Sequence, residues 1–361
     1  SPASNIDKKR YAGEMLFFKA LDYYGKVLLF GDVPWYDTTL NKNDPELYKG
    51  RDPRASVMEN IVKTIDLAIE YLPVKTKVYR ISRDAALLLK ARICLYEGTY
   101  RRYRNLEGDA EYLKLAYEAA GALMDMGHSL YKSATPEQSY FDLFIQDKYD
   151  TNPEVILARE YDASINMGNN VSNSIPGAIM GMSRDCFEEY LCATTGKPIS
   201  QCGCHNPDMG QIQEMENRDG RLLQTVCLPK AGEYSRYLFK EVNGVMTGGA
   251  SSIFGLLEGT EKKPFYGTSS TGYAIAKFYK ASEHAVGNHK GSIDAPVMRY
   301  AEALLIRAEA GAELGKDPEL DKTVNALRSR VGFSHKLTME PDEDQCGISS
   351  FMVCHSFFLV L

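Results

Sequence analysis

Tryptophan is almost missing from this chain: there is one in 361 residues, against 23 tyrosines and 14 phenylalanines. Long apolar runs are missing too. No stretch approaches the ~18 consecutive apolar residues that a spanning helix needs, so none of this sequence crosses a membrane in that form. There is no surplus of basic charge. The 42 Lys and Arg stand against 48 Asp and Glu, a net charge of −6, which argues against a nucleic-acid binder. Common catalytic motifs are missing as well: no Gly-x-Ser-x-Gly elbow, no His-Glu-x-x-His helix and no Walker loop occurs. The chain opens at Ser1 without a basic-then-apolar leader or an early cysteine, so a targeting segment is expected to lie outside it.

What is present is an ordinary globular composition. Hydrophobic residues make up 44% and charged residues 25%, which excludes a wholly disordered chain. The length suits one large domain or two at ~150 residues each, and it can bury a core without disulfide or metal staples.

The N-terminal part reads as helix pairs. Tyr11, Met15, Phe18, Leu21, Gly25 and Leu28 fall at helical spacing, which predicts a helix over 7–30 with that stripe inward. Gly31 and Pro34 then stop it. A Ser56-x-x-Glu59 capping box predicts a second helix over 56–72, with Ile61, Ile65, Ala68 and Leu72 inward. The stripe Ala85, Leu88, Ala91 and Leu95 predicts a third over 82–97. Leu113, Ala116, Ala120 and Leu123 predict a fourth over 111–126. Small residues in these stripes allow close helix approach, and hairpins of roughly 35–45 residues suit a tetratricopeptide-like repeat of period ~34. Two more helices are expected over 297–315 and 318–331.

Between these parts the pattern breaks down. Glu154 to Tyr161 reads as one strand, and Leu222 to Leu228 as a second. Seven glycines between Gly244 and Gly272 mark irregular chain. The tail from Ser334 has no period and ends on Phe357-Phe358-Leu359-Val360-Leu361. Residues 345–361 carry no charge, so this tail is expected to pack poorly and to promote aggregation. The expected architecture is mainly α: a tetratricopeptide-like helical-hairpin scaffold with a loop-rich irregular middle. Residues 1–128 form the helical-repeat part, 129–294 the insert with short strands, 295–332 a returning helical pair of the same domain, and 333–361 an aberrant tail.

Six segments in order carry a resemblance. "AGEMLFFKALDYYGKVLLFGDVPWYD" is similar to an early helix with a Gly-Asp-Val-Pro exit, and "LLLKARICLYEGTY" to a Leu-Ala-Arg-x-Tyr-Leu-Tyr-x-Gly helix. "TNPEVILAREY" is similar to an Asn-x-Glu-Val-Ile strand. "YLCATTGKPI" resembles an Asp-Gly-Lys-Pro-Ile turn, with Thr195-Gly196 here, and "NRDGRLLQTVCLP" an Arg-Asp-Pro-Arg-Leu segment, with Gly220 in place of Pro. "DAPVMRYAEALLIRAEAGAELGK" gives the strongest match, to Arg-Tyr-Ala-Glu-x-Leu-Leu-x-x-Ala-Glu-Ala. Together they resemble the SusD/RagB nutrient-binding lipoproteins of the Bacteroidetes outer membrane. Against that pattern the chain looks truncated at both ends.

The resemblance implies a binding protein rather than an enzyme, with no cofactor. It implies a surface-exposed outer-membrane lipoprotein, anchored through a lipid-modified cysteine outside this chain and otherwise free of membrane contact. Its partners would be a TonB-dependent SusC-like transporter, which it covers as a lid, and an oligosaccharide or peptide ligand, but no nucleic acid. Two other readings stay open: a helical-repeat protein–protein adaptor, and an α-helical glycoside hydrolase with paired carboxylates.

Four aromatics are candidate ligand contacts. Trp35 and Tyr36 follow the Gly-Asp-Val-Pro turn, where flat rings could stack on sugar C–H surfaces; the competing reading is that Trp35 packs on the helix it follows. Phe265 and Tyr266 lie in the glycine-rich middle, where loops present side chains to solvent. Cys202, Cys204 and His205 suit a soft metal, with Cys192 or Cys227 as possible partners. The tight Cys-x-Cys spacing fits a loop cysteine pair or a disulfide better than a metal site. Arg101-Arg102-Tyr103-Arg104 reads as a solvated basic loop or a contact with an acidic partner.

Overall fold

Glycine sits where the helices of the N-terminal part come closest. A Cβ on Gly13 would stand 2.9 Å from Leu72, and one on Gly98 would stand 2.6 Å from Leu113. Those two approaches lock two helical hairpins. The first joins α1 (Asn5–Phe30) to α2 (Arg54–Tyr71), and the second joins α3 (Arg83–Arg102) to α4 (Asp109–Met124). A further helix, Tyr300–Glu313, returns to pack on α4 and α3. The mainly α, tetratricopeptide-like reading of the sequence is realised in this scaffold.

The computed structural model describes residues 4–135, 138–177, 181–205, 214–226, 271, 273, 275–280, 282–283 and 286–338, with four short strands between 229 and 247. The expectations for Phe265, Tyr266 and the tail 345–361 lie outside the described residues. The chain divides into two units. The first is Ser1–His128 with Met298–Glu319; the second is Ser129–Val297 with the chain from Leu320 onward.

In the first unit the expected stripes of α2, α3 and α4 are the buried ones; Ile61, Ile65, Ala85, Leu88, Leu113 and Ala116 are fully enclosed. The stripe of α1 is not. Tyr11, Met15, Phe18 and Leu28 are 49%, 70%, 53% and 40% exposed, whereas Phe17, Ala20, Tyr24 and Val27 are buried. Apolar doublets such as Phe17-Phe18 and Val27-Leu28 put hydrophobic side chains on both faces, so periodicity alone does not choose between them. The inward face is the one carrying Gly13 and Ala20, where the partner helix fits closely.

The capping box is also corrected. α2 begins at Arg54, so Ser56 is an exposed residue inside the first turn and makes no cap. The backbone N–H of Arg54 instead donates to Asp32 Oδ1 at 2.8 Å. The cap thus comes from the turn after α1, where Gly31 takes a left-handed φ of 68° and Val33 bridges to Asp52.

Charge ties the hairpins to the returning helix. Arg92 of α3 grips Glu302 with two hydrogen bonds of 2.5 and 2.8 Å. Glu97 receives Arg54 at 2.5 Å and Arg101 at 2.8 Å. Bidentate guanidinium–carboxylate pairs fix direction as well as distance.

Among its described residues the second unit holds little regular structure. Val155–Arg159 (β1) forms a two-stranded sheet with Ala295–Arg299, and two antiparallel pairs join 229–230 to 233–234 and 240–242 to 245–247. The expected strand over 154–161 is present. Over 222–226, the described part of the other expected strand, there is none: Gly220–Leu223 is a helical turn, because Asp219 accepts the Arg221 N–H at 2.9 Å and caps it. The returning helices are shorter than expected. Residues 295–299 are extended in the sheet before the helix begins. Residues 318–323 are turns ahead of Val324–Arg330, with Glu319 at a φ of 50°.

Candidate functional site

The exit from α1 determines what Trp35 and Tyr36 can do. Trp35 is buried; Tyr23 of α1 packs on its ring at 4.2 Å and the Lys19 ammonium lies over it at 4.5 Å. Its indole N–H donates to Asp37 Oδ1 at 2.8 Å and its backbone N–H to Asp52 Oδ2 at 2.7 Å. Trp35 thus packs on the helix it follows. Tyr36 is half-buried. Its hydroxyl donates to the Glu46 carbonyl at 3.0 Å and Lys49 lies 4.8 Å over its ring. The Lys19 ammonium, through its hydrogen bond, holds the Asp37 carboxyl below its usual range despite partial desolvation.

Arg101 and Arg102 end α3 and pair with carboxylates inside the first unit, while Tyr103 and Arg104 lie exposed in the turn that follows. Arg102 meets Asp109 at 2.8 Å and Glu313 at 2.9 Å, and Tyr103 donates to Glu313 at 2.5 Å. Arg54 and Arg104 lie 3.8 and 4.0 Å from the centre of the Tyr100 ring, which stacks beside Tyr96. This cation–π ladder stiffens the end of α3.

In the second unit the structure assembles a thiol cluster that the sequence only half disclosed. The Sγ atoms of Cys192, Cys202 and Cys204 all lie within 4.8 Å of one another. His205 adds its Nδ1, 3.2 Å from Cys202 Sγ. Cys192 lies at the start of a tight turn. Its N–H donates to the Lys197 carbonyl at 2.9 Å, and the Gly196 N–H returns to the Cys192 carbonyl at 2.8 Å. Cys202 ends the short helix Ile199–Cys202, and Gly203 in a left-handed conformation turns the chain into Cys204. His335 braces the loop, its Nε2 3.1 Å from the carbonyls of both Ala193 and Thr194.

Burial opposes ionisation of Cys192. Hydrogen bonds from the Thr195 hydroxyl and from the backbone N–H groups of Thr195 and Thr194 outweigh it and bring the thiol down to about 7. Cys204 is pushed the other way, by desolvation and by its neighbours Cys192 and Cys202. Of the two possible partners the sequence offers, Cys192 joins Cys202 and Cys204 through the turn at Gly196, and Cys227 lies outside the described residues.

Residues 126–352 match the model of the SusD family. The chain belongs to this family. It is 26% identical over 347 residues to SusD-like protein P2 of Formosa agariphila, a match spanning 91% of this chain and 58% of that one. It is 25% identical over 374 residues to the starch-binding protein SusD of Bacteroides thetaiotaomicron, covering 94% and 61%. The chain therefore spans about three fifths of the length of the curated relatives it matches. A SusD-like carbohydrate binding protein from Bacteroides fragilis superposes with a TM-score of 0.70 at 19% identity, over 98% of this chain and 64% of that one. A second SusD-like protein of the same species gives 0.68 at 21% identity, over 98% and 67%. These likenesses establish the SusD fold for this chain. Among the described residues, no helix is long and apolar enough to cross a membrane.

Proposed function

We propose that this SusD-family chain binds an oligosaccharide or peptide nutrient at the cell surface and delivers it to a TonB-dependent SusC-like transporter of the outer membrane. The observation that carries the reading is the family match over 126–352, together with a relative named for binding starch and a structural neighbour named for binding carbohydrate. The role is capture and release, without covalent change to the ligand. In this reading the parent protein is a surface lipoprotein, and its only membrane contact is a lipid anchor.

Tyr36, Phe265 and Tyr266 are the proposed stacking residues. A half-buried ring such as Tyr36 offers an apolar face to sugar C–H groups while its hydroxyl stays engaged. Nearby Asp, Asn and Arg side chains would hydrogen-bond the hydroxyls of a bound glycan.

Calorimetric titration with a panel of oligosaccharides and peptides tests the reading. One ligand class should saturate the protein, and Tyr36→Ala or Tyr266→Ala should weaken it by roughly 1–3 kcal/mol, the scale of one lost aromatic contact. Transporter delivery is tested by affinity purification from native outer membranes, where a TonB-dependent barrel should co-purify. Failure of every panel member to bind would refute nutrient capture, and recovery without a barrel would refute delivery.

A further inference from the structure

The nutrient-binding role proposed above calls on none of the thiols gathered in the second unit. We propose that Cys192, Cys202, Cys204 and His205 form a site for a thiophilic metal ion, zinc foremost, that clips the loop 192–205 closed.

The donor set comes first. Three thiolates and one imidazole are a complete tetrahedral shell of the closed, structural zinc type. At a Zn–S bond of ~2.3 Å, tetrahedral sulfurs stand about 3.8 Å apart. The three Sγ atoms lie within 4.8 Å of one another, so about an ångström of side-chain adjustment brings them to that spacing. The His205 Nδ1 stands 3.2 Å from Cys202 Sγ but outside the group the three sulfurs form, so its side chain must turn to complete the shell. Soft sulfur donors exclude magnesium and calcium as the natural occupants.

The surroundings fit the same assignment. His205 Nε2 faces the Glu216 carbonyl at 3.4 Å. A carbonyl only accepts, so Nε2 keeps its hydrogen and Nδ1 presents a lone pair to the cluster; this is the outer-shell arrangement that orients a ligating histidine. The Cys204 N–H donates to Cys202 Sγ at 3.4 Å, and the Thr195 hydroxyl serves Cys192. Three thiolates with a divalent ion leave one negative charge. Arg218 is bridged to Cys192 through the backbone, and the carbonyls of Phe187, Tyr190 and Glu214 hold its guanidinium in place. Its positive charge offsets the remainder.

A disulfide makes poorer use of these residues. It would pair two of the three thiols and leave the third thiol and the imidazole without a role. Metal binding uses all four. It forms three metal–sulfur bonds and one metal–nitrogen bond, and it releases the thiol protons to solvent.

The test uses the unaltered chain, reduced and freed of metal with a chelator, then titrated with cobalt(II) and back-titrated with zinc. The expected result is one cobalt per chain, with thiolate-to-cobalt charge transfer and tetrahedral d–d bands that zinc abolishes. Cys202→Ser and Cys204→Ser should lose those bands, Cys186→Ser should keep them, and Thr195→Val should weaken binding roughly 10–100-fold. Because a cysteine variant could misfold, the unaltered chain also decides alone. An octahedral cobalt spectrum, or no cobalt bound after reduction, overturns the proposal. A disulfide between two of these cysteines in protein isolated from its native compartment overturns it as well.

Discussion

Arg330 and Glu154 meet at 2.7 Å with both side chains almost wholly withdrawn from water. They lie 176 residues apart in sequence, so the pair ties the last described helix of the second unit to the start of β1. Glu154 also accepts the backbone N–H of Tyr131 at 2.9 Å. Removing one member of such a pair strands a buried charge, which costs about 3–5 kcal/mol. Arg330→Met should therefore lower the unfolding free energy by that amount, and adding Glu154→Gln should recover part of it. A double-variant loss equal to the sum of the two single-variant losses, measured by chemical denaturation, would show that the two charges are not coupled.

Asp32 and Ser56 offer a matched comparison at the start of α2. Asp32 accepts the first N–H of the helix, whereas Ser56 is exposed two residues inside it. Asp32→Ala should cost about 1 kcal/mol, the usual value of a lost cap. Ser56→Ala should be neutral or slightly stabilising, because alanine is the better helix former. A larger loss for Ser56→Ala than for Asp32→Ala would restore the capping box and move the start of α2.

Neighbouring phenylalanines on α1 should behave oppositely. Phe17 is 1% exposed and Phe18 is 53% exposed. Phe17→Ala should cost about 3–5 kcal/mol, while Phe18→Glu should change stability by no more than ~0.5 kcal/mol and raise solubility. Thermal melts of the two variants check which face of α1 packs on α2. Comparable melting losses would mean that both faces are covered.

Cys94 supplies a pH dependence. Burial within α3 pushes its thiol from 9.0 up to about 12. The folded value lies above the unfolded one, so the contribution is complete below about pH 9 and is lost as pH rises through about 12. Each unit of that difference is worth about 1.4 kcal/mol. The unaltered protein should lose stability more steeply than Cys94→Ala across this window, and native Cys94 should resist alkylation at neutral pH. Parallel stability curves would show that the thiol is not enclosed.

The helical scaffold was legible because Ile61 and Ile65 of α2 and Leu113 and Ala116 of α4 lie on one buried stripe each, and because α3, enclosed along its whole length, keeps Ala85, Leu88, Ala91 and Leu95 in step with the helix. α1 was misread because it is apolar on two sides, and only its partner's shape selects the buried one. Caps supplied from a distance, as Asp32 does for α2, leave no local pattern. For Trp35 the sequence offered both a ligand contact and packing on the helix before it, because sequence shows a ring without its neighbours, here Tyr23 and Lys19. The thiol cluster was half visible for the same reason. Cys202, Cys204 and His205 are adjacent in sequence, whereas Cys192 joins them only through the turn at Gly196.

The most direct test of the account is equilibrium binding of a size-defined oligosaccharide series to the purified chain, with the recovered ligand analysed by mass spectrometry. The account predicts saturable binding of at least one glycan class, recovered at its original chain length with no new reducing ends. Shortened products, or no retention of any glycan or peptide, would contradict it.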